Sequence, residues 1–544
     1  MNPLATSLAS ALADSLQRLL PANGAPDPLL LAAVGALSDA LERGELALDL
    51  EGDAPESVPA EAWPQTLLQA LEASGWLVAA DALEQRPEAP IVHDGRWLRW
   101  RRWHLQLRQC LDQLLERAQG QPQPPVAAAA LQAAQRQARQ AGLDPQQAKA
   151  VAAVLEHRLV LLLGGPGTGK TSTVVQLLAA ALRQWPAGRI QLAAPTGKAA
   201  TRLAEAVAGA AGAGQLEPAL QARLAAIPCG TLHRLLEAQG EGRFRRGARL
   251  PLELDLLVVD ETSMVDLPLM AALLAALPPQ ATLVLVGDAG QLPPVGPGAV
   301  LEELCRPERL QQLGGAAVEL RTAYRNDGAI AQLAAQLRPQ RSGDPLTSLR
   351  PTLEALPEQA NLRWLEAPPQ RLPAAVLEPL RQHQRRLAQL ADDPATNPAA
   401  LLQELEQLIA LSPVRQGPWG VEALHRALLG PLLQAPLARW PLGTPVLNRQ
   451  NRPEQGLANG DIGVLIQRDG ERRVLMAGDR LLHPTRLGEA EPALALTVHK
   501  AQGSQYQRVL LLVPPSRHGD PRLLYTGLTR ARRGVLLVTP EQAP

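Results

Sequence analysis

The stretch from Leu161 to Thr171, LLLGGPGTGKT, limits what this chain can fold into more than any other. The apolar run Leu159 to Leu163 leads into it, with the length and bulk of a buried strand. Thr173 to Leu178 follows, with the pattern of a buried helix. Strand, glycine loop and helix, in that order, form the setting that a phosphate-binding loop needs. Gly164, Gly165, Gly167 and Gly169 let the main chain turn tightly and aim its N–H groups inward at a polyphosphate. The helix N-terminus adds the positive end of its dipole. Lys170 is positioned to reach the β- and γ-phosphates, and Thr171 to hold Mg²⁺ through its hydroxyl. Pro166, Thr168 and Ser172 complete the expected nucleotide-contacting segment. The competing reading is a glycine turn that happens to carry Lys-Thr, and it leaves the flanking strand and helix without a reason.

At 544 residues the chain is too long for one core, so several domains are expected. Lys plus Arg and Asp plus Glu balance at 53 each, which excludes a globally basic protein that coats nucleic acid. Any contact with DNA must be local. Cys110, Cys229 and Cys305 are scattered, with no zinc-binding spacing, as in a protein of a reducing compartment. The first twenty residues alternate apolar with polar positions instead of forming a secretory core, and no apolar run is long enough to span a bilayer. A cytoplasmic protein is expected. Lysine occurs only at positions 149, 170, 198 and 500, and tyrosine only at 324, 506 and 525. An ammonium and a guanidinium are not interchangeable at phosphate sites, so the surviving lysines are informative.

Residues 1–118 read as a mainly helical first unit. Near its end, Asp94-Gly95 signals a hairpin turn. Arg96, Trp97, Arg99, Trp100, Arg101, Arg102 and Trp103 then interleave cations with aromatic rings. Such a stretch fits a base-stacking surface, a docking surface, or a strand and helix with buried tryptophans. The structural or docking reading is favoured over direct DNA binding. Residues 119–142 change composition sharply and read as a linker ending in an Ala/Gln/Arg helix. Asp144 with Pro145 starts the next helix, and Gln147 on it offers an amide that could read an adenine edge.

The strand Ile190 to Ala194 ends in Pro195-Thr196-Gly197-Lys198, which presents a hydroxyl, amides and an ammonium to a DNA phosphate. Thr231 and His233 stand just ahead of a helix, where a cap or a packing role is the plainer reading. Leu256 to Val259 is a fully apolar strand that delivers Asp260 and Glu261 at its C-terminal end, the edge where open α/β sheets bind ligands. Asp260 suits Mg²⁺, held through water, and Glu261 suits deprotonation of an attacking water. A further buried strand runs to Gln291, placed to touch a γ-phosphate; Arg325 follows near a possible hinge. From about 431 to 491 short strands alternate with turns, as in a small β-barrel insertion. Thr497 and His499 follow an alternating strand, and Arg530 lies ahead of the last strand. If Arg530 faces a nucleotide it stabilises the transferring phosphoryl group.

GGPGTGKT, APTGKAA, TLHRLL, VVDETSM, GDAGQLPPVGPG, AYR, TVHKAQGSQY and YTGLTRAR together resemble the motifs of the superfamily 1B helicases, and specifically the RecD family, in that family's order. The likeness spans 143 to 544, and PIVHDGRWLRWRRW resembles the family's N-terminal domain. It implies an α/β fold with two RecA-like motor domains, at 143–325 and at 326–430 with 492–544, and an SH3-like β insertion at 431–491. A mainly helical N-terminal partner-docking domain and a linker precede them.

The resemblance implies ATP and Mg²⁺ as cofactors. Lys170, Asp260, Glu261, Gln291, Arg325 and Arg530 take catalytic positions, Thr171 and Asp260 hold the metal, and Gln147 reads the adenine. Pro195, Thr196, Lys198, Thr231, His233, Thr497 and His499 fall in its DNA-contact motifs. Gln505 stands where the family usually has Glu facing the ribose; an amide still hydrogen-bonds a hydroxyl. The implied activity is ATP-dependent 5′→3′ unwinding of DNA ends with RecB- and RecC-like subunits in recombinational repair, without nuclease activity in this chain. A stand-alone helicase and a non-motor P-loop scaffold remain alternatives.

Overall fold

The computed structural model describes residues 11–541 apart from 13, 17, 19–26, 213–215, 241, 323–327, 339–343, 358, 394, 451, 453, 454, 456 and 516–519. Its centre is a six-stranded, all-parallel sheet. The strand order is Ala317–Leu320, Leu159–Gly164, Thr282–Gly287, Leu256–Val259, Ile190–Ala194 and Cys229–Thr231. The central strands are apolar at nearly every position because helices cover both faces. Leu159, Leu161 and Leu163 pack into one core, with helix Leu267–Ala276. Val160 and Leu162 pack into the other, with helices Pro145–Glu156 and Lys170–Gln184. Leu257 and Val259 divide from Leu256 and Val258 in the same way, as the two-residue period of a strand requires.

A second parallel sheet has the order Leu362–Ala367, Ala531–Pro540, Tyr506–Leu512, Leu408–Ser412 and Ala495–Thr497. The chain segment between its strands Leu408–Ser412 and Ala495–Thr497 forms a separate five-stranded antiparallel sheet. The order there is Arg480–Leu482, Glu471–Met476, Ile462–Arg468, Pro445–Asn448 and Ala490–Pro492. Val464, Ile466 and Leu475 turn one face of it onto Leu387 and Ala391 of helix Ala374–Asp392. Val446, Leu465 and Val474 turn the other onto Trp440.

The N-terminal unit adds to its helices a small sheet that the helical patterns did not announce. Helices Pro28–Glu42 and Gln65–Ala73 accompany a four-stranded sheet of Leu48–Asp49, Trp97–Trp100, Ile91–Asp94 and Leu77–Ala79. These strands are two to four residues long, too short for a period to be read from them. The hairpin at Asp94-Gly95 is present, with Gly95 at φ +58°, a conformation that glycine adopts without steric cost.

The cation-rich stretch is divided: Arg96 and Arg102 are exposed, whereas Arg99 and Trp100 turn inward. Arg99 is buried, with Asp94 at 3.0 Å and Glu303 of helix Val300–Leu304 at 3.3 Å, and Arg306 stacks on the Trp97 ring at 4.1 Å. Helix Arg101–Gln119 then runs into the core on one face of the six-stranded sheet through Leu107, Leu111 and Leu114. Burial of these three leucines is worth roughly 5 kcal/mol or more. Arg117 on this helix donates to the carbonyls of Ala281, Pro278 and Leu277 at 2.9, 3.1 and 3.2 Å. It thereby satisfies the orphan acceptors just beyond helix Leu267–Ala276. Helix Ala128–Gln140 packs Ala134 and Ala138 into the core on the other face of that sheet. No helix among the described residues is long and apolar enough to cross a membrane.

Candidate active site

The glycine loop leaves the C-terminal end of its strand and turns through left-handed residues at Gly167 (φ +77°) and Gly169 (φ +79°). A Cβ on Gly164 would lie 2.5 Å from Thr168 Oγ1, so this close approach needs a glycine. Thr168 Oγ1 donates to the Gly165 carbonyl at 2.9 Å and braces the turn. Lys170 Nζ donates to the carbonyls of Gly164 and Gly165 at 2.6 and 3.0 Å, which leaves the third ammonium hydrogen for a phosphate oxygen. Thr171 and Ser172 are exposed in the first helical turn, as a metal-facing hydroxyl must be.

Gln147 is buried and braces the loop. Its Oε1 accepts from Asp144 N–H at 2.9 Å in a capping box, and its Nε2 donates to Thr168 O at 3.0 Å. This amide therefore ties the helix to the loop, beyond the adenine reading drawn from sequence.

Asp260 and Glu261 follow the strand Leu256–Val259. Asp260 N–H donates to Ala193 O at 3.0 Å and Glu261 N–H to Asp260 Oδ1 at 2.8 Å. Glu261 takes φ +52°, a left-handed conformation that costs a non-glycine residue about 1 kcal/mol or more and that collects at functional sites. Thr262 Oγ1 locks the turn by donating to Val286 O at 2.9 Å. Burial, and then the charge of Glu261, hold the Asp260 carboxyl above its ordinary range; the Glu261 N–H and Lys170 oppose them. Lys170 and both acids thus share one electrostatic field.

Gln291 is buried, and its Oε1 has no hydrogen-bond donor among the described residues. A buried acceptor left so costs about 1–3 kcal/mol, which a donated hydrogen from a bound water removes. Two further features suit a magnesium nucleotide: the glycine cradle and the Thr171–Asp260 oxygen pair, hard donors of the kind this cation takes.

The second sheet completes the site. Arg530 is buried, and burial holds its pKa below the ordinary value while the Glu261 and Asp288 carboxylates pull it up. Its Nε donates to Thr526 O at 3.2 Å and its Nη1 to Ser504 O at 3.4 Å. Tyr525 crosses between the lobes: its hydroxyl donates to Asp288 Oδ2 at 2.6 Å and lies 3.2 Å from where a Gly165 Cβ would stand. Arg325 lies outside the described residues.

The residues expected to contact DNA gather at the C-terminal edges of the two sheets. Thr196 Oγ1 accepts from Ala199 N–H at 3.2 Å and is 3.4 Å from the Cβ position of Gly503 across the lobes; Pro195 precedes it, half-buried. Lys198 sits over the Tyr506 ring at 5.3 Å. Burial, aided by Arg202 and Arg532 against Glu406 and Asp461, brings its pKa down to about 7. Thr231 pairs in register with Ala194 and caps the helix behind it through Arg234 N–H; His233 is exposed against Phe244, ring centres 6.0 Å apart. Thr497 Oγ1 accepts from Lys500 N–H at 3.2 Å, and His499 opens the next 3₁₀ turn. Gln505 Oε1 accepts from Arg532 Nε at 3.1 Å, so this side chain is engaged with Arg532.

Sequence reasoning passed over Asp288, Arg202, Gln502, Tyr525 and Thr526. Arg202 reaches from the first lobe to Gly503 O (3.0 Å), Gln505 O (3.1 Å) and Glu406 (2.7 Å). Asp288 had a readable cue, a carboxylate ending a buried strand three residues before Gln291. Tyr525 had one in its rarity, as one of three tyrosines in the chain; Arg202, Gln502 and Thr526 had none.

Residues 147–297 match the AAA domain family, and residues 492–538 the UvrD-like helicase C-terminal domain family. The chain is 37% identical to the RecBCD enzyme subunit RecD of Mycolicibacterium smegmatis, over 96% of its own length and 92% of that protein. It is 31% identical to the ATP-dependent RecD2 DNA helicase of Deinococcus radiodurans, over 72% of its own length and 48% of that protein. Among solved structures, Bacteroides Pif1 bound to single-stranded DNA aligns with a TM-score of 0.40 at 18% identity, over 73% of this chain and 92% of that one.

Proposed function

Because the chain belongs to the RecD family, we propose that it is an ATP-dependent 5′→3′ DNA helicase and translocase. It works at DNA ends with RecB- and RecC-like subunits in recombinational repair, in the cytoplasm. The observation that carries this reading is the cleft between the lobes. Arg530 of one lobe lies in the field of Glu261 and Asp288 of the other, and Tyr525 of the same lobe bonds to Asp288. A scaffold with a vestigial P-loop needs no such second wall.

The domain reading follows: motor domains at 143–325 and at 326–430 with 492–544, the antiparallel sheet as an SH3-like insertion at 431–491, and residues 1–118 as a partner-docking unit. Lys170 and the loop N–H groups bind the β- and γ-phosphates. Thr171 and Asp260 would hold Mg²⁺, which when bound spreads the charge of the phosphate oxygens. Glu261 takes the proton of the attacking water, and the unpaired Gln291 Oε1 orients that water. Arg530, joined by Arg325, meets the charge that develops on the transferring phosphoryl group. Opening and closing of the cleft then moves a strand across Pro195, Thr196, Lys198, Thr231, His233, Thr497 and His499, with Gln147 and Gln505 at the nucleoside end. A neutral overall charge suits a motor that must release what it grips.

The test is ATP hydrolysis with and without single-stranded DNA, and unwinding of 5′-tailed against 3′-tailed duplexes. Stimulation by DNA, its loss in Lys170→Gln, and preference for the 5′ tail are expected. Undiminished turnover in Lys170→Gln would refute the site. Failure to co-purify with RecB- and RecC-like chains would refute the complex.

A further inference from the structure

The turn from Asp288 to Leu292, which carries Gln291, is hydrogen-bonded to three side chains of the opposite lobe, beside the Arg338 guanidinium 3.8 Å from Asp288. The Tyr525 hydroxyl donates to Asp288 at 2.6 Å, Thr526 Oγ1 accepts from Leu292 N–H at 2.9 Å, and Gln502 Nε2 donates to Leu292 O at 3.1 Å. All five residues concerned are buried, so each bond is made away from competing water. Two of the three clamps, Tyr525 and Thr526, come from helix Pro521–Leu528. The third differs. Gln502 follows directly on the 3₁₀ turn His499–Ala501, and its own N–H donates to His499 O at 3.1 Å. Gly503 then bends the chain at φ +69°, beside Thr196.

We propose that Gln502 is the positioning residue through which single-stranded DNA on the Thr497–His499 segment controls the water-orienting amide of Gln291. The inference rests on the helicase reading above and deepens it. A strand that draws His499 toward a phosphate displaces a short, hydrogen-bonded turn as a unit, and Gln502 moves with it. Leu292 O is buried and has Gln502 as its donor, so the turn follows the amide rather than leave that carbonyl unpaired. Gln291 is the adjacent residue, and its Oε1 has no hydrogen-bond partner among the described residues. DNA occupancy is thereby converted into the position of a single oxygen in the hydrolytic site.

The test uses the full chain and an oligothymidylate, with Gln502→Met, which keeps length and volume and removes the donor. The ratio of DNA-stimulated to unstimulated ATP turnover falls at least about fivefold, the lower end of ordinary coupling. The half-saturating ATP concentration and the oligonucleotide affinity each move less than about threefold, so the loss is not one of binding. Adding Gln291→Ala to Gln502→Met lowers the ratio no further than Gln291→Ala alone, because the two act as one unit. A folded Gln502→Met protein that keeps its stimulation ratio, or losses that multiply in the double variant, would overturn the coupling while leaving the motor reading intact. A wild-type chain that DNA does not stimulate would overturn both. Amide hydrogen exchange on the unaltered protein gives a test that needs no variant. The Leu292 amide changes its exchange rate when oligothymidylate is added without nucleotide, and an unchanged rate there refutes the proposal.

Discussion

Replacing Arg530 by Gln separates what that residue does for hydrolysis from what it does for the fold. Two guanidinium nitrogens are tied to Thr526 O and Ser504 O, and Nη2 makes no hydrogen bond among the described residues. The structural loss is therefore two long bonds from a charged donor, offset by relief of a buried cation whose pKa desolvation already depresses. The net cost is about 1–2 kcal/mol, or a fall in Tm of roughly 2–8 °C for a lobe of this size. The catalytic loss is larger. An arginine that meets the transferring phosphoryl group is worth about 10³-fold or more in kcat, which is about 4 kcal/mol on the barrier. Steady-state hydrolysis at saturating ATP and oligonucleotide, beside a thermal melt, reads both numbers. The expected outcome is a folded protein in which kcat and kcat/KM fall together, the pattern of an interaction made in the transition state. A folded Arg530→Gln chain with kcat within about tenfold of wild type would show that the guanidinium braces the lobe and does no chemistry.

A double-mutant cycle on Tyr525→Phe and Asp288→Asn should return a coupling of about 1–2 kcal/mol in denaturant unfolding, because the hydroxyl–carboxylate bond at 2.6 Å is buried and charge-assisted; additive effects would count against it. Arg117→Leu should lower stability by about 2–4 kcal/mol at an unchanged urea m-value, since Leu277 O and Ala281 O lose their guanidinium donor whereas Pro278 O keeps the Ala281 N–H. His425 is buried with its pKa brought down to about 4, and its Nε2 accepts from Ala495 N–H at 3.2 Å. The unfolded chain, with a histidine pKa near 6.5, takes up that proton first. Stability is therefore fully present above about pH 6.5 and is lost as pH falls toward 4, by about 3 kcal/mol from this group. His425→Gln should flatten that part of a pH–stability curve, and an unchanged slope would refute the assignment.

The glycine loop, the strand that delivers Asp260 and Glu261, and the turn at Gly95 were legible because each is set by consecutive residues. Apolar runs make strands buried on both faces, glycines allow the left-handed turns, and Asp144 with Gln147 caps its own helix. The cation-rich stretch from Arg96 to Trp103 was different. Its residue types suited a DNA surface, a docking surface or a core, with the DNA surface least favoured, and only the tertiary structure packs Arg99 and Trp97 against Glu303 and Arg306. Helix Arg101–Gln119 likewise carries no local mark that it belongs to the core of the six-stranded sheet.

The bonds that unite the two lobes lay furthest from the sequence. Tyr525 and Asp288 are 237 positions apart, Gln502 and Leu292 are 210, and nothing in either neighbourhood names the other. Local chemistry can specify a loop that cradles phosphate, because the loop and its ligand contacts are short-range. Which side chains from one lobe reach the other depends on how two separately packed sheets dock, and that is set by the sum of all their surfaces.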